Sequence, residues 1–413
     1  MKPKCPVIAL AAALALALPS PIRGADRYKV LHNFGSGSDG SIPYGPVMLD
    51  QDGSLYGVTI NGPGYYGNGV VFELAPQPDG KWKEAILHDF TNVDGSPWGA
   101  LIFDPAGNLY GTTLAGKSEV FELSHEPSGW RFSVLYAGGA GAGLLMDGAG
   151  NLYGDIGPGP YKYYGAIAEL SPGSNGWNYT ALYSFCSPRG QCPDGYDLPA
   201  PPIWDGKGNM FGTTLGGGIS KPPCQSIYGC GVIYEMTPNG DGTWTYHVLH
   251  RFASFKNDGQ SPYYAGLVMD KAGNFYGATW FGGSHESGGW GQGTVYKLAY
   301  TGGRWKETIL YDFPDCAYGC RVEGTLALDK AGNLYGTASG GSGNCGGYAC
   351  GVVFKLSPQK NGKWKYSVVY NFTAEGGGFQ PFYGVILDDK GHLFGVTSQF
   401  GKYGFGTAFE ITP

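Results

Sequence analysis

The chain has 413 residues, of which 74 are glycine, 15% are aromatic and only 15% carry a charge. This mixture of tight turns and flat apolar side chains suits β-structure. The formal net charge of −6 argues against nucleic acid as a partner, because a protein that holds a phosphate backbone needs a basic stripe.

The first 25 residues have the layout of a secretory signal peptide. Lys2 and Lys4 precede the apolar run VIALAAALALALP, and small residues follow up to Ala25. The run is shorter than the roughly 20 residues that a membrane-spanning helix needs. We therefore predict that residues 1–25 are removed and that residues 26–413 form one domain of a secreted or periplasmic protein without a membrane span. Removal takes away three basic residues and no acidic one, so the net charge changes from −6 to −9.

One stretch of nine or ten residues recurs seven times along this domain. The pattern D-x-x-G, followed by an aromatic residue and a second glycine, begins at Asp50, Asp104, Asp147, Asp205, Asp270, Asp329 and Asp388. Asp and Gly at these positions suit a type I turn whose glycine takes a positive φ. The second glycine lets a neighbouring backbone or ring approach closely. We therefore predict a structural motif rather than a calcium loop, which needs a longer run of oxygen ligands.

Each repeat unit contains four strand-like runs. In the first unit these are GPVMLD, SLYGVT, GVVFELA and WKEAILHDF, separated by glycine-rich or polar turns. Four antiparallel strands repeated seven times predict an all-β, seven-bladed β-propeller. The seventh unit has only three runs, whereas RYKVLHNF, residues 27–34, matches the fourth run of the first unit. We expect this N-terminal strand to close the last blade, so that no open sheet edge remains.

These stretches resemble the GloVer-type tandem repeat family of exported bacterial proteins. The resemblance rests on the seven D-x-x-G-[NSH]-[LMF]-[YF]-G stretches, the glycine-rich linkers and the runs of the form G-x-[VA]-[FYA]-x-[LIM]. The shorter core D-x-x-G-N-x-Y is also similar to propeller repeats of the NHL kind. The resemblance covers essentially the whole mature chain. It implies a propeller located in the envelope or outside the cell, and it carries no implication about activity.

The loops of such a propeller divide between two faces. The motif turns and the turns between third and fourth strands share one face and are short and uniform. The other face, here called the loop-rich face, receives the loops between second and third strands and the crossings between blades. These segments are long and irregular. Because binding residues usually lie on variable loops carried by a rigid scaffold, we expect the functional surface on the loop-rich face.

Eight of the nine cysteines follow the signal segment, and all of them lie in long loops or crossings. An even number of cysteines in an exported chain favours disulfides. Local bridges are the favoured arrangement: Cys186 with Cys192, Cys224 with Cys230, Cys316 with Cys320, and Cys345 with Cys350. Bridges from crossing to loop, or a zinc site made by the last four cysteines, remain alternatives.

Two residue types recur on the loop-rich face. Acidic residues precede glycine in the crossings, namely Asp39, Asp94, Asp194, Asp258 and, less regularly, Glu375. Aromatic residues stand shortly before the third strands, namely Tyr66, Tyr228, Trp290, Tyr348 and Tyr403. Carboxylates beside flat rings suit a glycan, because the C–H face of a sugar packs on a ring while its hydroxyls need acceptors. In the simpler alternative these residues only build turns and fill space between blades.

His32, His88 and His250 occupy one repeat position that tyrosine occupies elsewhere. We therefore expect a half-buried polar ring there, with no metal ion or other cofactor. Neither a serine nucleophile elbow nor an H-E-x-x-H motif is present, so we name no catalytic residue.

The favoured function is a monomeric binding module for a glycan or protein ligand. One alternative is a glycoside hydrolase or polysaccharide lyase that pairs acids such as Asp39 and Asp94 near the central channel. Another is a structural surface protein without a ligand.

Overall fold

The computed structural model describes 28–37, 39–63, 67–114, 118–157, 165–186, 192–222, 224, 226–285, 291–341, 344–345, 348–373 and 377–413, without the side chains at 344 and 348. The predicted signal segment lies outside these residues. Their regular structure consists of β-strands, and they contain no helix with the length and apolar character needed to cross a membrane.

Seven antiparallel sheets follow one another along the chain. The described residues begin with β1 (Tyr28–Asn33). Blades 1 to 3 contain β2 (Ser41–Pro43), β3 (Met48–Leu49), β4 (Leu55–Asn61), β5 (Val70–Pro76) and β6 (Trp82–Asp89); β7 (Ser96–Phe103), β8 (Leu109–Leu114), β9 (Glu119–Glu126) and β10 (Gly129–Ala137); β11 (Ala140–Met146), β12 (Leu152–Ile156), β13 (Ala166–Gly173) and β14 (Gly176–Ser184).

Blades 4 to 7 follow the same plan, with two additional two-stranded sheets beside blades 5 and 6. Their strands are β15 (Ile203–Trp204), β16 (Met210–Thr214), β17 (Val232–Pro238) and β18 (Trp244–Arg251); β19 (Gly259–Gln260), β20 (Val268–Met269), β21 (Phe275–Thr279), β22 (Phe281–Gly282), β23 (Thr294–Thr301) and β24 (Arg304–Asp312); β25 (Val322–Leu328), β26 (Leu334–Ala338), β27 (Asn344–Cys345), β28 (Tyr348–Ala349), β29 (Val352–Pro358) and β30 (Trp364–Asn371); β31 (Ile386–Leu387), β32 (Leu393–Thr397) and β33 (Thr407–Ile411).

The first described strand, β1, completes the last blade. β1 pairs antiparallel with β33, with Tyr28 opposite Ile411 and Asn33 opposite Thr407. The sheet order of blade 7 is therefore β1-β33-β32-β31. The predicted all-β, seven-bladed propeller, closed by its N-terminal strand, is confirmed.

The repeated motif is a turn held by its aspartate. In all seven copies one carboxylate oxygen accepts the backbone N–H groups two and four residues later. The other oxygen of Asp270 accepts the amide of Asn274 at 2.7 Å and the hydroxyl of Tyr276 at 2.9 Å. Burial raises the pKa of Asp270, but hydrogen bonds from Asn274, Tyr276 and Ala272 outweigh burial and hold the pKa below its usual value. The structural role predicted for these aspartates is confirmed.

The glycine after the aromatic residue makes room for a ring of the third strand. A Cβ atom at Gly57 would lie 2.6 Å from Cζ of Phe72, a distance that real Cβ atoms do not show. Blade 3 has Ala168 in place of this ring, and there a Cβ atom at the corresponding Gly154 would lie 2.8 Å from the carbonyl oxygen of Gly143 instead. The close approach that the sequence predicts for these glycines is confirmed.

A β-bulge interrupts the pairing of the outer strand in all seven blades. An extra residue on one strand reverses the side to which the following side chains point. In β6, Glu84 therefore approaches His32 of blade 7, while His88 stacks on Phe132 of blade 2 with ring centroids 4.2 Å apart. The bulge thus lets each outer strand contact both neighbouring blades with polar or aromatic side chains.

The hydrophobic core is divided into seven clusters, and each cluster lies between two neighbouring blades. The cluster between blades 7 and 1 includes Leu31 of β1 and Phe34, which directly follows β1. It also includes Phe72 and Phe394. Burial of apolar surface therefore joins each blade to its neighbours around the ring.

We expect deletion of residues 28–33 to lower the melting temperature and to promote aggregation, because β33 would become an unpaired edge. Adding a peptide of sequence YKVLHN should restore the thermal transition, whereas a scrambled peptide should not. Circular dichroism and light scattering would measure both effects. An unchanged melting temperature for the shortened chain would contradict the closure.

Replacing Asp329 with alanine should reduce the free energy of unfolding by about 1–3 kcal/mol, because the N–H groups of Ala331 and Asn333 and the side chains of Asn333 and Tyr335 lose their acceptor. Urea denaturation would measure the loss. The control is Asp389→Ala, since this side chain is 98% exposed in an ion pair with Lys330. The control should change stability by less than about 0.5 kcal/mol. Equal losses in both variants would refute a stabilising role for the motif carboxylate.

Candidate functional site

The axis of the propeller is narrow and filled by aromatic rings. The cavity along it has a volume of about 80 Å³ and is lined by residues of all seven blades. The ring of Tyr44 lies 4.1 Å from Trp98 and 4.7 Å from Tyr383, between centroids, and its hydroxyl lies 2.6 Å from that of Tyr264. A cavity of this size holds a few water molecules. Among the described residues, the axis therefore leaves less space than the roughly 300 Å³ of a typical small-molecule site.

Two of the predicted crossing aspartates contact histidines of outer strands. Nε2 of His32 lies 2.8 Å from Oδ2 of Asp39, and Nε2 of His250 lies 3.2 Å from Oδ2 of Asp258. Both aspartates are almost fully buried. They lie at blade interfaces near the rim of the propeller, because their partners belong to outer strands.

The other two crossing aspartates repeat this arrangement. Asp94 lies 3.7 Å from Nε2 of His88, and Asp194 accepts the hydroxyl of Tyr183 at 2.7 Å. The half-buried polar ring predicted for this repeat position is confirmed. Asp39 and Asp94 belong to separate interfaces, so the structure does not bring them together as a carboxylate pair.

At all seven blade interfaces the outer strands of neighbouring blades contact each other through two equivalent positions. The first position is held by His88 in blade 1, and the second is held by Phe132 in blade 2. Five interfaces have parallel stacked rings with centroids 4.0–5.0 Å apart: His88–Phe132, Tyr136–Tyr179, Tyr183–Tyr246, Tyr311–Tyr366 and Tyr370–Tyr28. At the remaining two, histidine faces a carboxylate instead: His32–Glu84 and His250–Glu307. These contacts hold the outer edges of neighbouring blades together.

A pocket of about 360 Å³ lies on the loop-rich face between blades 4 and 5. Five aromatic side chains and one carboxylate contribute to its walls: Tyr196, Tyr228, Tyr263, Trp280, Phe281 and Asp197. We call it the aromatic pocket. The rings of Tyr263 and Trp280 are stacked with centroids 4.8 Å apart. Tyr228 stands at the edge, where 70% of the residue is exposed. The pocket therefore offers flat apolar surfaces beside an acid.

Two of the four local disulfides, Cys186–Cys192 and Cys224–Cys230, adjoin the segments that carry Tyr196 and Tyr228. The four bridges are Cys186–Cys192, Cys224–Cys230, Cys316–Cys320 and Cys345–Cys350. The favoured local pairing is confirmed, and the zinc alternative for the last four cysteines is wrong because their sulfur atoms are bonded in pairs. Within the loop closed by Cys224 and Cys230, Tyr228 accepts the hydroxyl of Tyr196 on its carbonyl oxygen at 3.1 Å. The bridge and this hydrogen bond position Tyr228.

Three carboxyl groups near the pocket have raised pKa values. Burial raises the pKa of Asp155 to about 7, and the neighbouring Asp197 adds to this effect. Burial within the concave surface also raises the pKa of Asp197, although its side chain reaches solvent. Burial raises the pKa of Glu323, beside Trp280, to about 8, against the lowering effects of Ser339, Arg321 and Trp280. At neutral pH this region therefore carries less negative charge than its acid content indicates.

The structure brings few of the predicted binding residues together. Tyr228 lines the aromatic pocket, and Asp258 lines an adjoining groove of about 910 Å³. Tyr403 lies in blade 7, where Lys402 Nζ lies 4.9 Å from its ring centroid. The predicted binding residues that lie outside the described residues are Tyr66, Trp290, Glu375 and the side chain of Tyr348.

Sequence reasoning missed most of the pocket, although departures from the repeat mark two of its residues. Trp280 occupies a position that other units fill with Ile60, Leu114, Gly157, Leu215, Ser339 or Ser398. Asp155 stands where other units have threonine, valine or alanine. Asp197, Tyr196 and Tyr263 carry no such signal, because crossings differ from unit to unit.

Comparison with known families identifies the repeats. A sequence-family model described as the Gloeobacter/Verrucomicrobia repeat matches residues 23–221 and 198–413. The chain belongs to the Gloeobacter/Verrucomicrobia repeat family. This confirms the family that the repeated motifs predict. A search of curated proteins found no match.

Solved propeller structures resemble this Gloeobacter/Verrucomicrobia repeat chain in fold. A fungal alcohol oxidase of the AA5 family, in complex with copper, has a TM-score of 0.54 and 11% identity over 94% of this chain and 76% of its own. A protein from Lactobacillus plantarum has a TM-score of 0.51 and 13% identity over 87% and 89%. PorZ, a surface component of the type-IX secretion system of Porphyromonas gingivalis, has a TM-score of 0.50 and 13% identity over 92% and 48%. Identities this low show the fold alone.

Replacing Cys224 and Cys230 with serine should loosen the loop that carries Tyr228. A local bridge contributes about 2–3 kcal/mol, so the protected amides of this loop should exchange hydrogen at least about tenfold faster. Those amides are Gly217, Cys230 and Gly231, which donate to backbone carbonyls. The matched control replaces Cys345 and Cys350 in blade 6 and should leave exchange in blade 4 unchanged. Exchange that is unaffected in the first variant would show that the bridge does not order the pocket.

Proposed function

We propose that the protein is a secreted or periplasmic binding module that holds an uncharged glycan in the aromatic pocket. The observation that supports this most directly is the set of five aromatic side chains around Asp197 in one concave site. Sugar C–H faces pack on aromatic rings, and sugar hydroxyls donate to carboxylates. The pocket volume of about 360 Å³ lies in the range of roughly 300–1,000 Å³ that is typical of small-molecule sites.

The charge of the pocket favours an uncharged ligand. An anionic ligand would be repelled by the ionised fraction of Asp155, Asp197 and Glu323 and would raise their already raised pKa values further. A protonated carboxyl group can also donate a hydrogen bond to a hydroxyl oxygen. An acidic polysaccharide is therefore a poorer ligand than a neutral one.

The pocket is held in one arrangement before a ligand arrives. Trp280 directly follows β21, and Phe281 begins β22. The segments that carry Tyr196 and Tyr228 each adjoin a disulfide. A preformed site needs less ordering of loops and side chains on binding. Four disulfides also suit an oxidising compartment, which supports the proposed location.

The copper chemistry named for the AA5 oxidase finds no support in the residues of the pocket. Imidazole is a preferred ligand of copper in enzymes. All seven histidines of the chain are described, and none of them lines the aromatic pocket. The proposal is therefore one of binding rather than oxidation.

Glycoside hydrolysis is a second candidate. It is favoured by Asp155, whose raised pKa and neighbouring Asp197 are features of an acid that acts beside a second carboxylate. Asp155 accepts the backbone N–H of Ala166 at 3.2 Å and does not belong to the pocket wall. This position favours binding over hydrolysis.

A glycan array followed by calorimetry on the binding sugar would test the proposal. We expect Tyr228→Ala to weaken binding about tenfold, which corresponds to about 1.4 kcal/mol, because the exposed ring covers the ligand edge. The control is Tyr300→Ala, since this residue is 61% exposed at the end of β23 on the opposite face. The control should bind like the unaltered protein.

Two results would contradict the binding module. Absence of binding to every neutral glycan on the array would refute the glycan ligand. Release of reducing ends from a bound glycan, lost in Asp197→Asn, would establish hydrolysis instead. Asparagine suits this position because Asp197 has a positive φ of 61°, a conformation that asparagine tolerates.

A further inference from the structure

Two of the seven outer interfaces differ chemically from the rest. At five of them the second position is aromatic and stacks on the ring of the preceding blade. Glutamate replaces the aromatic residue at Glu84 and Glu307 only, and at both places the preceding blade supplies a histidine and the crossing supplies an aspartate. An interface with histidine and aspartate but no glutamate exists as well, and there His88 stacks on Phe132. The glutamate is therefore not needed to hold the histidine.

The interface between blades 4 and 5 has the more buried cluster. One ligand atom each from His250, Asp258 and Glu307 lies within 4.8 Å of the others. Oδ2 of Asp258 lies 3.2 Å from His250 Nε2 and accepts the backbone N–H of Ser254 at 2.8 Å. Glu307 is 9% exposed and Asp258 is 2% exposed. The three side chains come from the outer strands of two blades and from the crossing between them.

Several polar atoms of this cluster are buried without a hydrogen-bond partner among the described residues. They are both carboxylate oxygens of Glu307, Oδ1 of Asp258 and the hydroxyl of Tyr296. A buried carboxylate without a partner is costly, and such atoms in a native protein usually indicate a bound ion or an ordered water. When both carboxylates are ionised, this buried cluster of two acids and one histidine also carries a net negative charge.

The interface between blades 7 and 1 repeats the cluster. Nε2 of His32 lies 2.8 Å from Asp39 and 3.7 Å from Oε2 of Glu84. Oε1 of Glu84 is again buried without a hydrogen-bond partner among the described residues. His32 belongs to β1, the strand that closes the ring, whereas Asp39 and Glu84 belong to the crossing and outer strand of blade 1. The same donor set therefore occurs twice at equivalent places of the repeat.

We propose that each cluster binds one divalent transition-metal ion of the Zn²⁺ class, which clamps the outer strands of neighbouring blades together. One imidazole nitrogen and two carboxylates form a donor set that Zn²⁺ accepts, with water completing the coordination. Within each cluster, an ion bound to both carboxylates neutralises the buried negative charge. In the cluster between blades 4 and 5 it also supplies the missing partner of Glu307. At blades 7 and 1 the ion ties β1 to blade 1 and thereby strengthens the closure.

Protons or ordered waters are the competing occupants. Burial, followed by the repulsion of Asp258, raises the pKa of Glu307 to about 9, and burial raises the pKa of Glu84 to about 7. A protonated Glu307 removes the excess charge but leaves its oxygens without a partner among the described residues. A metal ion accounts for both the charge and the unpartnered atoms.

The test measures Zn²⁺ binding to the chelator-treated, oxidised protein by calorimetry and by elemental analysis after gel filtration. Keeping the four disulfides intact prevents cysteine from binding the metal. We expect two ions per chain and a higher melting temperature with Zn²⁺ than with chelator, because an ion that binds only the folded state stabilises it. Ca²⁺ should bind more weakly, since it prefers sites made only of oxygen ligands.

Single variants assign the ions to the clusters. Glu307→Gln and Glu84→Gln should each reduce the stoichiometry from two ions to one, and the double variant should bind none. Asp94→Asn is the matched control, because its interface has histidine and aspartate without glutamate, and it should keep both ions. If Glu307→Gln impairs folding, His250→Asn provides the second variant for the same cluster.

Three outcomes would overturn the proposal. No Zn²⁺ binding to the unaltered protein at millimolar metal would leave a proton or water as the occupant. Zn²⁺ binding that persists unchanged in the double glutamine variant would place the ions elsewhere. Bound ions that do not shift the melting temperature would contradict the clamp. None of these outcomes depends on the glycan, so failure here is separable from failure of the binding proposal.

Discussion

The antiparallel pairing of β1 with β33 is the contact on which the rest of the molecule depends. Each blade buries apolar surface against both neighbours, so an open seam would expose the cluster that contains Leu31 and Phe34. Closure fixes the positions of all blades around the axis. Because the aromatic pocket is built from crossings and loops of two blades, its shape follows from the ring and does not arise within any one repeat.

The gap between neighbouring blades is filled by different side chains at three distances from the axis. At the axis, rings such as Tyr44 and Tyr383 fill the channel. In the middle of six of the seven blades, a glycine admits the aromatic ring of the third strand, as Gly57 admits Phe72. At the rim, a bulge turns the outer strand so that it contacts both neighbours. The widening gap between blades is therefore filled by different devices, which explains why the motif recurs without becoming a ligand site.

The fold could be predicted from the sequence because its information is periodic and local. The turn at Asp270 needs only residues within six positions of it, and the disulfides join cysteines four to six residues apart. The bulge is not among the predicted features, although the spacing of Trp82 and Phe90 indicates it. Eight residues apart, they would face the same side of a regular strand, yet Trp82 packs with Phe394 and Phe90 with Phe121. The pocket could not be predicted, because Asp197, Tyr228 and Trp280 meet only after the blades close.

Departures from the repeat are the places where packing alone does not explain the residue. A consensus position is satisfied by threonine or valine, whereas Asp155 places a carboxyl group there with a pKa raised to about 7. Glu307 likewise replaces a stacked ring with a buried carboxylate whose oxygens have no hydrogen-bond partner among the described residues. The carboxylate of Glu307 reduces stability unless something binds or titrates there, since a buried unpaired acid is costly, whereas Asp155 accepts the N–H of Ala166 and shows the cost of its burial in its raised pKa. Because the other units of this chain show that an apolar or aromatic residue fits each position, the acid calls for a ligand rather than for a packing explanation.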